Sequence, residues 1–170
     1  MTITLLCDIL RKELLANGYE YGFLLNGARV KPDFTAGFDQ KYDRLVHTAY
    51  RVQSPAVTRK EKIGTCIEAV LVMKELLDQQ NVPNKIWLLF QPDKKKAHTV
   101  LTFNAAGKTV YLELTPQSAK PWYGKEIVYD NEELFQQTYH QKGFEVSEVT
   151  GQIEIGQPPR FLLERLNKTK

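Results

Sequence analysis

The stretch IGTCIEAV, residues 63–70, sets the reading of the fold. A Gly-Thr step precedes a cysteine, and Thr65 is followed three residues later by Glu68. That spacing is the pattern in which an N-cap hydroxyl and a glutamate satisfy each other's exposed backbone amides, so a helix is expected to open at Cys66. At a first helical position the unpaired N–H groups and the positive end of the helix dipole favour an anion, and a thiol there is readily held as thiolate. Gly64 removes a side chain just before the thiol and is expected to let a substrate backbone approach. The plain alternative is a buried cysteine acting as a small hydrophobe, and the fragment by itself fits both. Cys7 has no such setting and reads as structural.

Working outward, residues 66–80 carry Ile67, Ala69, Val70, Leu71, Val72, Met73, Leu76 and Leu77, too apolar for a surface helix, so a buried central helix is expected. Lys85-Ile86-Trp87-Leu88-Leu89-Phe90 reads as a strand buried on both faces. Residues 97–104 and 108–115 are two further β-rich runs with a joint short enough for an antiparallel hairpin. Before the cysteine, residues 4–16 have the three-four apolar spacing of a helix, and 19–38 read as irregular with one short strand at most. Residues 39–52 are helical in spacing, closed by Ser54-Pro55. Beyond the hairpin a strand at 126–129, a helix at 131–142, a strand at 144–150 and a helix at 159–167 complete the pattern. Together these predict an α+β fold in one domain spanning 1–170, with a helix bearing Cys66 packed on an antiparallel sheet and further helices flanking it.

A nucleophilic cysteine needs a base, and a base works best when a third group fixes its ring. Of the three histidines, His47 and His140 fall within helical runs, whereas His98 opens a strand directly after a polar loop. Fifteen residues on, Glu113 sits in the apolar run Val-Tyr-Leu-Glu-Leu-Thr, where a buried carboxylate requires a partner. A two-residue turn that pairs residues whose numbers total 211 sets 98 opposite 113. A three-residue loop through Ala105, Ala106 and Gly107 shifts the register by one and turns Glu113 to the other face unless a bulge compensates.

In this order and spacing the residues resemble the transglutaminase-like superfamily, over about residues 63–116. Its pattern of Gly-x-Cys, His and Asp-x-Thr is matched by Gly64-Thr65-Cys66, by His98 and by Glu113-Leu114-Thr115. The resemblance implies a papain-like fold and acyl transfer through a thioester, with Cys66 as nucleophile, His98 as general base and then acid, and Glu113 as the orienting carboxylate. Glutamate replaces the usual aspartate, and Val100 stands where an aromatic is common. A papain-type glutamine would fall at Lys60, which leaves the Cys66 N–H as oxyanion donor, with Gln53 and Trp122 as further candidates. No acidic loop of calcium-ligand spacing is present, so no metal and no cofactor is expected.

Composition narrows the rest. With 42% hydrophobic and 25% charged residues the chain has the make-up of a soluble globular protein. The opening apolar run breaks at Asp8 and lacks a preceding basic residue, so no signal peptide and no membrane span are expected. Two cysteines are too few for a disulfide framework, and free thiols in a cytoplasmic protein are the expectation. The net charge is only +3, and Lys94-Lys95-Lys96 lacks interleaved aromatics, so it reads as a solvated loop and no nucleic-acid partner is expected. A zinc site from Cys66, His98 and Glu113 lacks the tight paired spacing of structural sites. Two functions stay open: a peptidase, amidase or transamidase acting on a peptide, protein or small amide, and an inactive transglutaminase-like domain that binds a peptide or protein.

Overall fold

The computed structural model describes residues 1–32 and 40–168, with the backbone alone for residues 40–43. In chain order, helix α1 (Ile3–Leu14) leads to three short strands, β1 (Glu20–Tyr21), β2 (Phe23–Leu25) and β3 (Ala28–Val30). Then come α2 (Gln40–Thr48), α3 (Pro55–Glu61), β4 (Ile63–Gly64) and α4 (Cys66–Gln79). The second half holds β5 (Asn84–Gln91), β6 (Lys96–Ala105), β7 (Lys108–Leu112), β8 (Glu126–Tyr129), α5 (Glu132–Gln141), β9 (Glu145–Glu148) and α6 (Arg160–Lys168).

The class is α+β, built on an antiparallel sheet of order β8-β7-β6-β5-β9. Strand side chains alternate between its two faces, and both faces are covered. On one, Ile86, Leu88, Phe90, Leu101, Phe103, Val110 and Leu112 meet Ile67, Val70, Met73 and Leu77 of α4. On the other, Trp87, Leu89, Val100 and Tyr111 pack against Phe135 and Tyr139 of α5. This double burial is why β5 reads as an unbroken apolar run. Helix α1 lies against the α4 side through Leu6, Cys7, Leu10 and Leu14. Burial first, and then the Glu126 carboxylate, push the Cys7 thiol up to about 11, so this cysteine is a packing residue. Among the described residues no helix is long and apolar enough to cross a membrane.

Two local differences from the sequence reading have clear causes. The segment taken as irregular contains a hairpin, β2 against β3, turning at Asn26-Gly27, whose φ angles of 50° and 80° are those a tight Asn-Gly turn requires. Its residues 33–38, and Asp39 of the helix expected next, lie outside the described residues. Helix α2 ends at Thr48, earlier than residue 52, because Ser54-Pro55 starts a helix as well as stopping one. The Ser54 Oγ accepts from Val57 N–H at 3.2 Å, and proline at the opening position forfeits no hydrogen bond.

Gly64 serves a different purpose from the one expected. A Cβ at this position would stand 2.7 Å from the Glu68 Cβ and 3.3 Å from Thr58 Cγ2, so the missing side chain makes room for the protein's own core rather than for a substrate. Gly64→Ala is therefore expected to lower unfolding free energy in urea by about 1–3 kcal/mol, the usual cost of overpacking. Gly151→Ala, where an added Cβ meets nothing within 4 Å, should stay within about 0.5 kcal/mol of the wild type. Equal midpoints for the two variants would refute this account.

Candidate active site

Thr65 is in an extended conformation, with φ −93° and ψ −170°, and caps α4 as its sequence predicts. Its Oγ1 accepts from Ile67 N–H at 3.2 Å. The returning Glu68 carboxylate accepts at Oε2 from Thr65 N–H at 2.8 Å and from the Thr65 hydroxyl at 2.6 Å. Its other oxygen accepts from Gln53 N–H at 3.1 Å and from the Tyr50 hydroxyl. These bonds fix the first turn of α4, and with it Cys66, whose own N–H has no intrahelical carbonyl to reach.

The structure brings Cys66, His98 and Glu113 together. Cys66 and His98 border one cleft, and the His98 ring and the Thr99 backbone both act on the thiol to favour its charged form. Glu113 Oε2 accepts from His98 Nε2 at 2.7 Å, which leaves Nδ1 as the ring atom for the thiol. Glu113 is only 2% exposed, and the demands of a buried carboxylate are met. Besides His98 it accepts from the Tyr111 hydroxyl and from Thr115 N–H at 3.0 Å, and the Lys120 Nζ stands 3.5 Å away.

The hairpin register differs from both expected versions and explains how the pair meets. The turn is two residues, Ala106-Gly107, with φ angles of 50° and 72°. Pairs total 213, Thr102 with Tyr111 and Ala105 with Lys108, so residue 98 does not face 113. The shift from 211 is two, however, and side chains alternate with period two, so His98 and Glu113 still share a face. They are diagonal neighbours, a separation that a long side chain spans. The extra methylene of glutamate supplies that reach where aspartate would fall short.

Cys66 arrives from the other side of the sheet, since α4 covers the opposite face from His98. Asn104 N–H donates to Pro83 O, on the β5 side of β6, so by alternation the amides of Phe103, Leu101 and Thr99 point towards β7. The β6–β7 pairing stops at Thr102 with Tyr111, which leaves the Thr99 amide at an open stretch of strand edge. Cys66 at the start of α4, Thr99 and His98 line the same cleft at this stretch of edge.

The charges follow from this packing. Burial alone would raise the Cys66 pKa, but the hydrogen bond and positive charge of His98, with the Thr99 amide, outweigh it and the thiol is lowered. For His98, burial opposes the charge while the Glu113 carboxylate and the Cys66 thiol favour it, with a net rise to about 9. Burial likewise opposes the charge on Glu113, but His98, Lys120 and the Tyr111 hydroxyl hold it far below the usual carboxylate range. The three shifts run in one direction: each favours charge on the thiol, the ring and the carboxylate over the neutral groups.

A cleft of about 630 Å³ opens beside Cys66 and His98 and is bordered by Tyr21, Trp122, Tyr139 and Phe144. The other residues singled out in the sequence fall as follows. Gln53 is buried elsewhere, its amide donating to Ile63 O at 3.1 Å, so its side chain holds the loop rather than a substrate. Lys60 lies exposed on α3, and Val100 is buried on the face of His98, opposite Trp87. Half-buried His47 on α2 and exposed His140 on α5 do not line the cleft. Of the further partners of Glu113, Thr115 was named only as the last residue of the Glu113-Leu114-Thr115 pattern, and Tyr111 and Lys120 escaped the sequence reading. Tyr111 was accessible, being two residues before Glu113 on one strand and hence on one face. Lys120 lies in a loop, where no periodicity reports on it.

No protein-family model matches this chain, and no curated protein does. Among solved structures it is similar to the LapG protein of Legionella pneumophila, with 12% identity and a TM-score of 0.48 over 98% of this chain and 78% of that one. So distant a likeness assigns neither family nor activity.

The pair of shifts fixes how Glu113 contributes to stability. Its lowered pKa gives stability that is present above an unfolded value of about 4.3 and lost as pH falls below it. The raised His98 pKa gives stability that is full below about 6.5 and lost as pH rises towards 9. The gap in urea stability between wild type and Glu113→Gln should thus be widest between about pH 5 and 6.5 and shrink in both directions. A gap that widens from pH 6.5 to 9 would contradict the ion pair.

Proposed function

We propose that this chain is a cysteine acyl-transfer enzyme of the papain-like, transglutaminase-like kind, acting on an amide or ester carbonyl of a peptide, protein or small amide. The observation that carries the reading is the placement of Cys66 and His98 on one cleft, with the His98 ring hydrogen-bonded at 2.7 Å to the buried Glu113 carboxylate. The capped helix bearing the cysteine and the antiparallel strands bearing the base and the acid support the same reading.

In this mechanism the Cys66 thiolate attacks the carbonyl carbon and the carbonyl π pair moves onto oxygen. The Cys66 N–H at the start of α4 is placed to donate to that oxyanion. The imidazolium of His98 gives its proton to the departing amine or alkoxide as the C–N or C–O bond breaks and a thioester remains. His98, now neutral, takes a proton from an incoming water or amine, whose addition expels the thiolate and restores the pair. Glu113 keeps the ring oriented throughout and stabilises its charge, and Tyr111, Thr115 and Lys120 hold the carboxylate in turn.

Iodoacetamide labelling of Cys66 in a Cys7→Ser background tests the activated thiolate. The rate should persist well below the usual thiol pKa of about 8.5 and fall about ten- to a hundredfold at pH 7 in His98→Ala, where only the Thr99 amide is left to oppose burial. Glu113→Asp should behave nearly as poorly as Glu113→Gln, because the shortened acid cannot span the diagonal. Turnover is read with p-nitrophenyl acetate, which should acetylate Cys66 and be released to water, with neither step in Cys66→Ser. Labelling that titrates like a free thiol, indifferent to His98, would sink the proposal.

A further inference from the structure

The sequence shows Lys94-Lys95-Lys96 as a polar run in a loop, and the fold gives that loop a place. It joins β5 to β6 directly before His98, and all three lysines line the cleft that holds Cys66. Lys142, at the C-terminal cap of α5, reaches the same cleft from the other side of the chain, its Nζ 5.4 Å from the centre of the Trp122 ring and 5.1 Å from that of Tyr139. Lys120 also lines it, but stands 3.5 Å from Glu113 and is committed there.

The other four have no such commitment. Among the described residues no carboxylate forms an ion pair with Lys94, Lys95, Lys96 or Lys142, and no aspartate or glutamate lines the cleft. Elsewhere on the surface Lys74 pairs with Asp78, Lys85 with Glu132 and Lys108 with Asp130, while Lys12, Lys62 and Lys125 form no ion pair among the described residues. What sets the cleft apart is five lysines in one lining without an acid, in a chain of 23 basic and 20 acidic residues. Like charges gathered at a concave, low-dielectric surface focus a field that concentrates anions there and repels cations. The lysines are exposed, so their charge costs little in the free protein and remains available to an arriving ligand.

From this we infer that the cleft selects an acidic polypeptide segment as acyl donor, with aspartate or glutamate side chains against Lys94, Lys95, Lys96 and Lys142 while a nearby carbonyl reaches Cys66. The inference rests on the acyl-transfer reading for the identity of the reacting bond. That reading also favours a polypeptide over a nucleic acid, because only the former presents an amide to the thiol. Apolar Tyr21, Phe144, Leu162 and Leu166 in the same lining suit the alternation of charged and apolar side chains in a peptide.

Fluorescence anisotropy with the full chain carrying Cys66→Ala, which binds without turnover, tests it. The probes are a fluorescein-labelled peptide rich in glutamate, its glutamine analogue and its lysine analogue. The glutamate peptide should bind about tenfold or more tightly than the glutamine one at low ionic strength, with the preference shrinking as salt rises. The combined Lys94→Glu, Lys95→Glu and Lys96→Glu variant should abolish the preference, and Lys142→Gln should weaken it, with the thermal midpoint reporting that each stays folded. Equal affinity for the glutamate and glutamine peptides, an unaltered preference in the triple variant, or displacement of the peptide by a single-stranded oligonucleotide or phosphatidylserine vesicles at lower concentration than by unlabelled peptide would overturn the inference. The two proposals fail separately. Selective binding with an unactivated Cys66 defeats the catalytic reading alone, and an activated Cys66 with no charge preference defeats only the acidic donor.

Discussion

Everything at the cleft depends on one buried carboxylate. Glu68 is fully enclosed and, among the described residues, forms no ion pair, yet its two oxygens accept from the Thr65 amide, the Thr65 hydroxyl, the Gln53 amide and the Tyr50 hydroxyl. So polar a group in such a place is tolerable only because four donors and the positive end of α4 replace the water it has lost. In return it ties two pieces of chain to the first turn of the helix: the α2–α3 connector, through Tyr50 and Gln53, and the cap itself. The steric demand of the Glu68 side chain then dictates glycine at 64. The position of Cys66 follows from these contacts before the cysteine makes any of its own.

The second constraint is parity. A period-two strand forgives a register error of two and punishes an error of one, and the Ala106-Gly107 turn falls on the forgiving side. His98 and Glu113 share a face as a result, though offset, and the offset selects glutamate over aspartate. The unusual acid and the observed register are thus one fact: each makes sense of the other. The departure of β7 from β6 beyond Leu112 then frees the strand edge at Thr99, which lines the same cleft as Cys66 and His98.

The elements of the fold were legible where a pattern repeats over many residues. The α4 helix, its cap, the doubly buried β5 and the hairpin partners all announce themselves through period or motif. What escaped was set by single contacts across the chain. Gly64 looks like an opening for substrate until Glu68 is seen to fold back over it, and Gln53 looks available until its amide is found on Ile63 O. The Asn26-Gly27 turn carried a local signal that a count of glycines obscures, and Ser54-Pro55 marks an end and a beginning with the same two residues. Cys66, His98 and Glu113 could be nominated from sequence because a nucleophile, a base and an acid are chemically distinctive. Their assembly could not, because it turns on whether a loop has two residues or three.

The electrostatics of the site reconcile two demands that oppose each other. Burial strengthens the interaction between the His98 ring and the Glu113 carboxylate, but it also penalises each charge taken singly. The balance closes because the two groups are hydrogen-bonded and because the carboxylate has further support from Tyr111, Thr115 and Lys120. Lys120 links the two scales of the field. It compensates Glu113 from inside the lining of the cleft and is thereby withdrawn from the cationic group that Lys94, Lys95, Lys96 and Lys142 form around the mouth. The inner relay is neutralised by its own partners, so the uncompensated positive charge lies farther out, where it acts on whatever approaches the thiol and not on the thiol itself.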